Sequence, residues 1–163
     1  IKQSISYFLS EITDNMQQHA NTDFGYIYTK YNDIDNQIEI VLADGGMSIY
    51  GSYINANKFI DNIKNSDILA VGIAKEGYST KDRPEAENRG YGLSSNIKMI
   101  TQGLKGDFAI MSGNALYVSS IDKLIELPKQ VDWKGTLVLA IIPTDIPSAF
   151  NFYNYINWQS WAT

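Results

Sequence analysis

Four short segments carry residue types whose spacing suits chemistry. Glu11 and Asn15 stand four apart, so on a helix they share one face. A carboxylate and an amide oxygen side by side can orient a water and hold a hard cation such as Mg²⁺. An ordinary solvated helix face offers the same pair. Asp44-Gly45-Gly46 closes an apolar run. Its carboxylate can accept from an exocyclic amine, and glycines admit a ligand close to the backbone; a plain turn has the same composition. Gly90-Tyr91-Gly92-Leu93 opens a helical pattern. Glycine-rich backbone at such a start favours phosphate. It is neither a dinucleotide fingerprint, since position 95 is Ser, nor a P-loop, since no G-K-[ST] follows. Gly135-Thr136 opens the most apolar run, where a threonine can reach a ligand or serve only as a β-former.

The elements that must position these groups follow from periodicity. Ile5, Phe8, Leu9, Ile12 and Met16 recur at helical spacing, which predicts a helix over 2–20 with one buried stripe. GYIYTKY (25–31) and QIEIVLA (37–43) read as strands about a turn at 32–36, an antiparallel hairpin. Helical patterns cover 57–63 and 67–74. The polar stretch 75–89 has no apolar period and reads as a mobile loop. Leu93, Ile97, Ile100 and Leu104 mark another helix. Strands are expected at 107–111 and 115–119 about Ser112-Gly113-Asn114, and at 135–142, which is apolar enough to be central and ends at Pro143. Strand pairs grouped between helices predict an α+β two-layer sandwich: a mixed, mostly antiparallel sheet with helices on one face.

Composition narrows the function classes. The chain has 163 residues, one domain's worth, with 44% apolar and 19% charged residues, as in globular proteins. A net charge of -5 argues against a nucleic-acid partner, whose phosphates need cationic neutralisation. No apolar run approaches the ~20 residues that span a bilayer, so no membrane segment is expected. With no cysteine, disulfides, zinc–thiolate sites and thiol nucleophiles are ruled out, which suits a reducing, cytoplasmic setting. His19, the single histidine, excludes multi-histidine metal sites. A start at Ile1 suggests a piece of something longer. Six aromatics fall within Phe150–Trp161, a tail that either packs on this domain or meets a partner.

In this order the segments resemble the nucleotide-binding domain of the GHKL superfamily, the Bergerat fold of gyrase-type topoisomerases, chaperone ATPases, histidine kinases, mismatch-repair ATPases and anti-sigma-factor serine kinases. The likeness covers roughly residues 4–143. SEITDNMQQHA (10–20) resembles the N box, IEIVLADGGMSI (38–49) the G1 box, ENRGYGLSSNIKMI (87–100) the G2 box and GTLVLAIIP (135–143) the closing strand. STKDRPEAENRGYGL (79–93) resembles the flexible ATP lid running into the phosphate loop.

The resemblance implies ATP and Mg²⁺ as cofactors. It makes Asn15 the metal ligand and Glu11 the general base. Asp44 would bind the adenine amino group, Gly46 would allow close approach beside the base, and Thr136 would join the same network. Gly90, Tyr91 and Gly92 would wrap the phosphates, with Leu93 anchoring the helix, while Lys81 and Arg89 would meet the β- or γ-phosphate. Ser48 stands where the family's second G1 glycine belongs and would narrow the site. His19 falls where the anti-sigma branch often has a histidine. The compact layout leans toward that branch: an ATP-binding domain over 1–145, a lid at about 75–90, and a tail or linker over 146–163. Such a domain would phosphorylate Ser or Thr on a protein partner, or hydrolyse ATP under control of a fused regulatory domain. A nucleotide-gated interaction module without turnover and a clamp-type ATPase are the alternatives.

Overall fold

The computed structural model describes residues 1–20, 22, 24–80 and 92–156. Lys81, Arg89, Gly90, Tyr91 and most of the expected lid lie outside the described residues, as do the side chain of His19 and residues 157–163.

Helix α1 (Lys2–His19) presents the expected stripe: Phe8 and Ile12 are buried, with Ile5 and Leu9 packed beside them. The hairpin forms as strands β1 (Gly25–Asn32) and β2 (Gln37–Asp44). Helices α2 (Ile49–Asn55), α3 (Ile60–Ile63) and α4 (Asp67–Lys75) follow. The segment from Leu93 is helix α5 (Leu93–Lys98), which widens into a π-helical turn at Met99–Gly103. Strands β3 (Asp107–Gly113), β4 (Ala115–Val118), β5 (Lys123–Glu126) and β6 (Trp133–Pro143) follow, with short 3-10 turns at Ser119–Ile121 and Phe152–Asn154.

The sheet has six strands in the order β1-β2-β6-β3-β4-β5, with β6 in the interior. Every pairing is antiparallel, so the expectation of a mixed sheet is corrected. The fold is α+β, with helices packed on one face of the sheet. The register lines up Leu42, Val138 and Ile110 across β2, β6 and β3, and all three are buried against Phe8, Ile12, Ile97 and Ile100. Alternation carries the same face onward to Asp44, Thr136 and Ser112 at one end of the sheet. The opposite face holds Val41, Leu137, Leu139 and Ile141, all half-buried, which is why β6 reads as one continuous apolar run.

A second, smaller cluster forms from Tyr53, Ile63 and Ala70, between α2, α3 and α4. The tail packs inward as far as it is described: Phe150 and Tyr155 close over Gly103, and the Phe152 ring meets Tyr7 edge-on with centroids 5.8 Å apart.

Candidate functional site

Strand β2 ends by delivering Asp44 to the inner face, where the side chain is 1% exposed. Its Oδ1 accepts from the Gly46 amide at 2.9 Å, and the Thr136 amide also donates to the carboxylate. Burial nevertheless pushes its pKa above the ordinary 3.8, with the two amides opposing the shift. A buried acceptor held this way suits a ligand N–H.

The neighbouring strand makes room for it. Ser112 of β3 faces Thr136, whereas Gly113 faces Trp133, so Lys134 and Gly135 are extra residues in β6. Such a bulge re-aims side chains. Here the Trp133 indole N–H donates to the Asp44 carbonyl at 2.8 Å, and a Cβ at Gly135 would collide with Asp44 Oδ1 and O.

Glu11, Asn15, Asp44, Gly92, Leu93 and Thr136 all line one cavity. The cavity has a volume of about 140 Å³ and opens on solvent. Gly46 does not line it; its amide holds Asp44, and a Cβ there would strike the Ala20 carbonyl. Met47 ties the same turn to α1 by donating to Ala20 O at 2.7 Å. Gly92 adopts φ +78°, where side chains are strained, and a Cβ there would lie 3.2 Å from Glu11 Oε2. Asn96, fully buried one turn on, donates from Nδ2 to Gly92 O at 3.0 Å.

Ser48, expected to narrow the site, lines the cavity and caps α2, its hydroxyl accepting from Gly51 N at 3.1 Å. Its φ of -64° needs no glycine. The cavity wall then passes to Tyr53 and Tyr78: the Tyr53 hydroxyl donates to Tyr78 O at 2.6 Å, and Phe59 packs edge-on against both rings. Lys58 Nζ donates to Thr80 O at 3.1 Å. Residues 78 and 80, in the expected lid, are thus tied to α2 and the turn after it.

Among the described residues no group of three or more His, Asp or Glu side chains could hold a metal by itself. Glu11 and Asn15 fit a hard cation only as minor partners, with phosphate and water oxygens supplying the rest. Among the described residues no helix is long and apolar enough to cross a membrane.

These features define a two-layer α+β domain with a half-open cavity whose floor is a buried carboxylate. No protein-family model, curated protein or solved structure matches the chain.

Proposed function

We propose that the cavity binds Mg-ATP and that the chain is a GHKL-type nucleotide-binding domain of the Bergerat fold. One observation carries this reading. Segments far apart in sequence, chosen for their chemistry, meet on one cavity: Glu11 and Asn15 from α1, Asp44 from β2, Gly92 and Leu93 from α5 and its approach, and Thr136 from β6.

In this reading adenine lies over the sheet, with its amino group donating to Asp44. Ile110 and Val138, both on the cavity wall, exclude water from the ring. The triphosphate extends toward α1 and the backbone before α5. Asn15, on the cavity wall, would hold the metal through its amide oxygen, and the metal would neutralise charge on the phosphates. Glu11 orients the attacking oxygen and takes its proton as the γ-phosphoryl group passes to water or to a Ser or Thr hydroxyl of a protein partner. Thr80 and Gly92 both line the cavity, which supports phosphate roles for Lys81, Arg89, Gly90 and Tyr91 in the intervening sequence.

Glu11→Ala tests the reaction. ATP affinity is expected to stay within a few-fold, while turnover or phosphotransfer falls by about 10²-fold or more, the ordinary worth of a positioned base. Unchanged turnover would remove Glu11 from the reaction. A wild type that binds ATP without turning it over would favour a nucleotide-gated interaction module.

A further inference from the structure

The hydroxyl behind Thr136 sets what Thr136 shows to a ligand. Ser112 is buried, and it is not among the residues lining the cavity. Its oxygen accepts from the Ile49 amide at 2.8 Å and lies 2.9 Å from the Gly135 carbonyl and 3.3 Å from Thr136 Oγ1. A hydroxyl has one proton and two lone pairs. The carbonyl can only accept, so the Ser112 proton goes to Gly135. One lone pair is taken by Ile49, leaving the other for the proton of Thr136. Thr136 then faces the cavity with lone pairs alone. Beside it, ionised Asp44 is also acceptor-only.

We propose that Ser112 is a positioning residue for base selection. By drawing the Thr136 proton away from the cavity, it makes the floor a surface of acceptors that takes a 6-amino purine and rejects a 6-oxo purine. The inference rests on the adenine reading above and deepens it. An amino group, or a water donating to a ring nitrogen and to Thr136, satisfies this floor. A 6-oxo group sets an acceptor against acceptors, and leaving buried polar groups mismatched is how sites discriminate strongly. Without Ser112, the Thr136 proton has no partner behind it and can turn toward a 6-oxo oxygen.

The test measures dissociation constants for Mg-ATP and Mg-ITP on the wild type, Ser112→Ala and Ser112→Cys. The ITP-to-ATP ratio is expected to exceed one in the wild type and to fall about five-fold or more in Ser112→Ala. Ser112→Cys, close in shape but a weaker acceptor, shifts the ratio less and in the same direction, and carries the test if the alanine variant does not fold. A ratio unchanged within about two-fold in variants that still bind ATP would overturn the role of Ser112 and leave the adenine reading intact. If the wild type binds both nucleotides equally, base selection by this floor is wrong although the cavity still binds nucleotide. If it binds neither, both inferences fail together.

Discussion

Asp44 shows what a functional carboxylate costs its fold. Buried and raised in pKa, it binds a proton more readily in the folded chain than in the unfolded one. Its contribution to stability is therefore largest below about pH 4, where both states are protonated, and is lost as pH climbs through the raised value. Asp44→Asn removes that loss. The variant without nucleotide should be at least as stable as the wild type at pH 7, measured by urea denaturation, with its advantage shrinking as pH falls toward 4. Ligand binding has the opposite sign: an acceptor for N–H is best ionised, so ATP affinity in the wild type rises through the same pH window. A less stable Asn variant at neutral pH would mean the carboxylate is held by more than its two amides.

At the scale of elements, helix α1, the segment from Leu93 and strands β2, β3 and β6 read clearly from the sequence because their apolar period is unambiguous. The stripe Phe8–Ile12–Met16 and the face Ile97–Ile100–Leu104 are both buried as spacing requires. Helix α2 was hidden because its start depends on the Ser48 cap rather than on a long apolar stripe, and only Tyr53 is buried along it. Strand β5 was hidden because it is a four-residue edge strand. The same cap changes the meaning of Ser48. What looks like a missing glycine is the residue that starts α2, so Ser48→Ala should cost about 1 kcal/mol of stability by thermal unfolding. The bulge in β6 was not legible at all, since Trp133, Lys134 and Gly135 carry no periodic signal of an insertion. Gly135→Ala pushes a methyl into Asp44. The expected result is ATP affinity lowered by about 10-fold or more even where the fold persists.

Across the whole molecule, the cavity sits between two apolar clusters. Ile12, Ile110 and Val138 on its wall belong to the core under the sheet, whereas Tyr53 belongs to the smaller cluster of α2–α4. A ligand filling the gap touches both, so occupancy should tie them together and raise stability by mass action, about 2.7 kcal/mol at 100 times Kd. Ile63, fully buried, shares the smaller cluster with Tyr53 of the cavity wall. Ile63→Ala should cost about 2–5 kcal/mol and weaken ATP binding as well. Hydrogen exchange at residues 78–80 is expected to rise in this variant; unchanged exchange there would mean the cluster does not support the wall.

The most direct test of the adenine reading is calorimetric titration of Mg-ATP into the wild type and Asp44→Asn. Saturable binding that the substitution weakens by about 10-fold, or 1.4 kcal/mol, is the predicted result. Equal affinity in the two proteins, or no binding to the wild type at millimolar ATP, would contradict it.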